Sequence, residues 1–429
     1  MSDPGFSKLS AAAFIAVLLT SWATLETRAG DWPQILGPNR DGHADGEMLA
    51  DSWPKSGPRT LWKNPVGEGF AGPAVAAGRV IMFHRVNGSE RIEALNTKTG
   101  EQIWQTDYEA EYGGGINSDT GPRCVPVIDA KRDRVFVYGA AGDVHCVSFS
   151  KGTKIWSRTV RSDYRADDGY FGAGSTPIVA GDKLLINVGG DRAGAGIVAL
   201  SVDTGKTVWK VAKEQASYSS PTMTTIDGKS SVIFVTRMNA VCIDPANGSI
   251  RFQFPFGQRG PTVNAATPLV IADTMFLTAS YGIGAKLIRL RGGKTETIWD
   301  KDDVMSSQYV TPVHRDGYLY GIDGREDIGQ ASLRCIEAKS GSVKWSVDRF
   351  GVAHVILADD KLLAVRVDGQ DEQLVLAKAS PDRFQKLASA RAFDDGEVSR
   401  ALPALSEGRL FIRCNSGGLG ELKCIFVGR

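Results

Sequence analysis

The sequence predicts an all-β fold: an eight-bladed β-propeller with four-stranded antiparallel blades, its ring closed by an N-terminal strand pairing with the C-terminal blade. Three observations predict it. A strand, a glycine turn and an aromatic residue recur along the 429 residues; a column of prolines alternates with that motif; and the last unit lacks one strand, which the N-terminal end supplies.

The first motif reads ALNTKTGEQIW, CVSFSKGTKIW, ALSVDTGKTVW, CIDPANGSIRF and CIEAKSGSVKW, ending at Trp104, Trp156, Trp209, Phe252 and Trp345. A looser copy, LIRLRGGKTETIW, ends at Trp299. Each alternates apolar and polar residues up to a turn, and Gly100, Gly152, Gly205, Gly248 and Gly341 stand where a hairpin calls for positive φ. The second column is Pro73, Pro126, Pro177, Pro221, Pro268, Pro312 and Pro403, with His354 in the remaining place. Apolar runs such as GRVIMF, DKLLINVG and GRLFIRC follow it, so the two columns together give about four strands per unit. Neighbouring column positions lie 42 to 53 residues apart, the spacing of propeller blades. After Leu422 to Val427 the chain ends one strand short of a blade, and Leu61-Trp62-Lys63-Asn64-Pro65-Val66 has the pattern of the missing outgoing strand.

Residues 1–29 have the layout of a secretory signal: Lys8, an apolar run from Ala11 to Ala23, and Thr27-Arg28-Ala29 as the cleavage site. That predicts a periplasmic or extracellular protein cleaved near Ala29. The apolar run is shorter than the ~20 residues of a bilayer span, and a retained anchor is the alternative. Residues 30–60 read as an N-terminal extension and 61–429 as a single propeller domain. Lys plus Arg (50) nearly cancel Asp plus Glu (49), leaving no global field for nucleic acid or an anionic membrane. The expected partner is a protein, peptide or glycan, with no nucleic acid, no membrane span and a monomeric chain.

The six cysteines do not read as a disulfide framework. Cys146, Cys242 and Cys335 take the place of Ala94 and Ala199 in other units and read as small core residues. Cys414 and Cys424 flank the last hairpin, where the strand register decides whether they bridge. His43, His84, His145, His314 and His354 form no i, i+4 pair, so no metal is assigned. Asp41, Asp45 and Glu47, like Asp300, Asp302 and Asp303, read as solvated turn residues outside any calcium-loop pattern. No nucleophile-elbow, zinc-helix or phosphate-loop motif occurs, and no catalytic residue is assigned.

Blade cores are committed to packing, so function is expected in the loops and strand starts that converge at the channel mouth. The loops DYEAEYGGGINSDTGPR and RSDYRADDGYFGAG supply Asn117, Asp119, Arg123, Asp168, Tyr170 and Phe171, groups suited to a polar ligand or peptide. Three positions before the column proline stand Arg123, Tyr218, Tyr309 and Arg400, which are expected to ring the entrance. An arginine there either binds a carboxylate or phosphate bidentately or pairs with an acidic residue of a neighbouring blade. His354, in the place of a proline, either faces the channel or satisfies a neighbouring carbonyl.

These columns, with the opening DWPQILGPNRDG and the stretches GPRCVPV and ATPLVIADTMFLTASYG, resemble the pyrroloquinoline-quinone (PQQ) repeat of quinoprotein dehydrogenases and of the propeller lipoprotein of outer-membrane barrel assembly. The likeness is to the PQQ-binding-like β-propeller repeat proteins and covers nearly the whole mature chain. It implies that Trp104, Trp156, Trp209, Phe252, Trp299 and Trp345 dock between blades as structural residues. It also implies three functions: a non-catalytic binding or scaffold module using its loop face, a PQQ-dependent quinoprotein dehydrogenase, or an envelope protein assembly factor. The dehydrogenases of this fold carry a vicinal disulfide over the cofactor. No two cysteines are adjacent here, so PQQ is left unassigned and the non-catalytic module is the leading expectation.

Overall fold

Each proline of the column stands immediately before the innermost strand of a blade, where its missing N–H costs no ladder bond. Pro73 precedes Ala74–Ala76, Pro126 precedes Val127–Asp129, Pro177 precedes Ile178–Ala180, and the pattern runs to Pro403 before Ala404–Ser406. The computed structural model describes residues 1, 30–116, 118–260, 262–368, 372–394, 397–416 and 419–429. The expected signal segment, apart from Met1, lies outside the described residues.

The strands form eight four-stranded antiparallel sheets, as expected from the repeat. Seven blades use consecutive strands, from Ala74–Ala76 through Gln102–Glu109 in blade 1 to Ala353–Ala358 through Lys386–Ala390 in blade 7. Blade 8 takes three strands from the C-terminal end and its outermost from Arg59–Val66, which pairs with Leu419–Phe426 from Arg59↔Phe426 to Val66↔Gly420. The predicted closure therefore holds. Helix is confined to short pieces such as Val160–Tyr164, which the repeat did not foresee. No helix among the described residues is long and apolar enough to cross a membrane.

Adjacent blades are locked by one repeated contact. Gly100, Gly152, Gly205, Gly248 and Gly341 have φ between 67° and 76°, and a Cβ on any of them would fall 2.4 to 3.2 Å from the tryptophan ring of the preceding blade. The indole N–H then donates to a carbonyl just before the turn, as in Trp104 to Phe149 O at 3.0 Å and Trp156 to Val202 O at 2.9 Å. The closing strand obeys the same rule, with Trp62 of blade 8 on Gly100 and donating to Thr97 O at 3.0 Å. Apolar side chains fill the space between neighbouring sheets, Phe136 and Trp156 of blade 2 packing with Leu184 and Ile186 of blade 3, for example. All six cysteines are buried free thiols. Cys424 stands opposite Phe411, and Cys414 opposite Glu421, so that pair does not bridge.

The extension is not a loose leader to the ring. Residues 30–50 cross the end of the channel at which the inner strands finish. Trp32 exchanges backbone bonds with Val75 of blade 1, Pro33 O accepts from Ile128 of blade 2, and Gly42 and Ala44 bracket Leu357 of blade 7. Glu47 accepts the Glu407 and Gly408 N–H groups of blade 8 at 2.5 and 2.7 Å. Glu47 is thus a buried cap on a blade turn rather than the solvated residue expected from its acidic neighbourhood. From this crossing Arg40, only 1% exposed, reaches up the bore. Its guanidinium donates to Gln34 Oε1 at 2.9 Å, Pro221 O at 2.9 Å, Thr176 O at 3.3 Å and Pro177 O. Burial against these neutral oxygens pulls its pKa down to about 9.

Candidate functional site

At the opposite end, where the inner strands begin, the preceding loops leave a cavity of about 540 Å³. Phe70, Phe171, Tyr218, Tyr309 and Leu402 are among its wall residues, and Arg123, Arg400, Glu326 and Asp327 supply its charges. Five of the expected residues meet here: Arg123, Phe171, Tyr218, Tyr309 and Arg400. Asp168 and Tyr170 instead line a smaller adjoining chamber. Asp119 stands behind Arg123, and Asn117 lies outside the described residues.

The two arginines share one ring. Phe70 has the Arg123 and Arg400 guanidinium carbons each 5.7 Å from its centroid, two cation–π contacts on one ring. Neither arginine is a bare anion receptor. Arg123 bonds Asp119 Oδ1 at 3.2 Å and Asp119 O at 2.6 Å and also donates to Gly121 O, while Asp119 accepts the Gly69 and Gly121 N–H groups at 3.0 Å each. Arg123 is therefore neutralised within its own loop rather than by a neighbouring blade. Arg400 reaches from the start of blade 8 to Glu326 of blade 6, with its Nε and terminal nitrogen 2.8 and 2.6 Å from Oε1. The Tyr309 hydroxyl donates to Glu326 Oε2 at 2.8 Å. Burial and then the Glu326 charge push that hydroxyl well above the ordinary tyrosine value, and the bond to Glu326 raises Arg400.

Tyr218 fixes the loop that carries Phe171. Its hydroxyl accepts the Tyr170 and Phe171 N–H groups at 2.8 Å each, and its ring meets the edge of Phe171 at 5.5 Å. Burial raises its pKa above the usual value. The two long loops emerge on one face, as expected, and are joined there: Ile116 N donates to Tyr170 O at 3.0 Å. Asp168 pairs with Arg161 at 2.6 Å, and Tyr170 donates its hydroxyl to Gly260 O at 3.2 Å. His354 takes the second of its two expected roles. Its Nε2 lies 3.0 Å from Arg400 O, so it holds the backbone of Arg400, and burial lowers its pKa.

The position three before each column proline proves more general than the four residues first picked from it. The same offset gives Phe70 in blade 1, Gly174 in blade 3 and Ala265 in blade 5, and all three line the mouth. Glu326 had no such signal, since it sits in a turn of blade 6 between Tyr318–Arg325 and Gln330–Glu337.

The mouth does not fit PQQ, a polycarboxylate. Its two arginines already carry Asp119 and Glu326 as counterions, and Glu326 and Asp327 in the wall would face the quinone's own carboxylates.

Residues 88–347, more than half of the chain, match the PQQ-repeat family described as outer membrane protein assembly factor BamB. A curated relative, the outer membrane protein assembly factor BamB of Burkholderia pseudomallei (strain K96243), is 22% identical over 304 residues, which is 61% of this chain and 72% of the relative. The crystal structure of BamB from Moraxella catarrhalis superposes with a TM-score of 0.59 at 15% identity, over 86% of this chain and 100% of that one. A quinohemoprotein alcohol dehydrogenase from Comamonas testosteroni superposes at 0.65 with 14% identity, over 94% and 81% of the two chains. Those structural likenesses are of fold, shared by an assembly factor and a dehydrogenase alike. By its match over residues 88–347, the chain belongs to the PQQ-repeat β-propeller family described as BamB.

Proposed function

We infer that the chain is a non-catalytic binding propeller of the bacterial envelope that holds a segment of a partner protein at its open channel mouth during outer-membrane protein assembly. The carrying observation is the 540 Å³ cavity, with a largely aromatic and aliphatic wall and charges that are already paired. Such a wall gains chiefly by burying apolar area, at ~25 cal/mol per Å², and aromatic and arginine side chains are the usual anchors of protein interfaces. A protein segment with an apolar side chain suits it better than an anionic metabolite. The filled far end of the bore supports binding at the loop face. Family membership favours assembly work, and residues 1–29 favour export to the periplasm. The ring closes with its own strand, in keeping with a monomer.

The test is capture of partners from envelope extract by the wild-type chain and by Phe171→Ala and Arg400→Ala variants whose circular dichroism matches wild type. The reading expects both variants to lose the partner. Retention of the same partner by both overturns the chosen mouth.

A further inference from the structure

Beside the mouth lies a second, smaller chamber of about 210 Å³, walled by the loop from Asp167 to Gly174 and by blades 3 and 4. It shares Gly174, Tyr218 and Val263 with the mouth cavity, so Tyr218 stands between the two spaces. Its chemistry differs from that of its neighbour. Asn187, on the inward-packed strand Lys183–Gly190, lines the chamber at 2% exposure, and neither its Nδ2 nor its Oδ1 has a hydrogen-bond partner. Asn264, 1% exposed, also lines it. Its Nδ2 donates to Thr236 O and Phe256 O at 3.0 Å each, which fixes the carboxamide and leaves Oδ1 without a donor. Tyr218 accepts two backbone N–H groups at its oxygen and keeps its own proton to give.

A buried polar atom left without a partner costs roughly 1 to 3 kcal/mol, so three around one cavity mark a place where a ligand is repaid. Of the chamber's ions, Asp167 sits exposed at its rim, and the other three are committed. Arg161 holds Asp168 at 2.6 Å, and Arg237 donates to Gln258 O, Thr262 Oγ1 and Gly260 O at 2.6 to 3.0 Å. The buried unmet groups are thus neutral: the Asn187 N–H donors, the Tyr218 proton, and two amide oxygens that need donors. A ligand that brings an oxygen with two lone pairs and an NH₂ with two hydrogens meets two of the three donor hydrogens and both amide oxygens, which is the inventory of a primary carboxamide.

We propose that this chamber is a binding site for a primary carboxamide, presented as the side chain of a glutamine or asparagine on a bound chain or as a small free amide. The site adjoins the protein-binding mouth and shares Tyr218 with it, but it stands if that reading fails.

The test uses the full mature chain with asparagine side-chain nitrogens labelled. Propionamide and N-acetylglutamine methylamide are titrated while the Asn187 NH₂ signals are followed by NMR, with propionate and N-acetylglucosamine as comparators. The proposal expects saturable shifts of the Asn187 signals with both amides. Binding, followed by calorimetry in the variants, should weaken at least tenfold in Asn187→Leu and in Tyr218→Phe. A response to propionamide alone identifies a free-amide site, and a stronger response to the glutamine compound identifies a side-chain site. Unmoved Asn187 signals in the wild-type chain mean that the chamber holds water only and overturn the proposal. So does an equal response to propionate or to the sugar. The wild-type titration decides the matter even if a variant does not fold.

Discussion

The two ends of the channel are made by the same eight inner strands and finished in opposite ways. At the end where those strands stop, residues 30–50 cross from blade to blade by backbone bonds, and every guanidinium nitrogen of Arg40 has a partner. At the end where they start, aromatic rings face an open cavity, and the adjoining chamber keeps Asn187 and Asn264 oxygens without donors. A buried cation with satisfied donors is structure; buried amides without partners are capacity for a ligand. The contrast is the reason the proposed binding is assigned to the loop face.

The largest expected effect comes from breaking the closed end. Arg40→Ala strands the Thr176, Pro177 and Pro221 carbonyls and should cost about 3 to 5 kcal/mol in urea unfolding. A loss under about 1 kcal/mol would mean that the crossing does not hold the bore shut.

Glu90 sharpens the other side of the comparison. It lies fully buried beneath the loop face, with Oε1 accepting Ala140 N at 3.1 Å and Oε2 unpartnered. Burial raises its pKa from 4.5 to about 7. The folded chain therefore holds this proton more tightly than the unfolded chain, and the stability it contributes is full below pH 4.5 and lost as pH rises through about 7. Glu90→Gln should match wild type near pH 4 and exceed it by about 3 kcal/mol at pH 8. Parallel stability curves for the two proteins would contradict the burial account.

A smaller effect tests the blades common to both ends. Gly152→Ala meets Trp104 at 2.4 Å with φ at 70° and should cost about 2 kcal/mol. Gly181→Ala, at a φ of 64° with nothing within 4 Å, should cost about half as much, the difference being the indole contact. The smallest effect belongs to the mouth: Tyr309→Phe removes one bond to Glu326, which Arg400 still holds, and should cost about 1 kcal/mol by thermal unfolding.

The ring was legible because its determinants repeat. A glycine with positive φ under an indole, and a proline where a strand lacks a ladder donor, recur at blade spacing and can be counted in the sequence. The mouth was legible in part for the same reason, since Arg123, Tyr218, Tyr309 and Arg400 share one offset from the proline column. Applying that offset to every blade would also have named Phe70. The closed end was not legible, because Arg40 in GPNRDG reads as a solvated turn and its carbonyl partners lie in blades 3 and 4, over 130 residues away. Asn187 left a fainter trace: one amide inside the apolar run DKLLINVG, where a buried strand otherwise has no use for it.

The central claim, that partners engage the open mouth and not the closed end, is tested most directly by photo-crosslinking in envelope vesicles. A photoreactive residue replaces Asp327 at the cavity wall in one protein and Met48 on the exposed surface of the crossing segment in another. The account predicts a discrete protein adduct from position 327 and none from position 48. The same adduct from position 48, with position 327 silent, would contradict it.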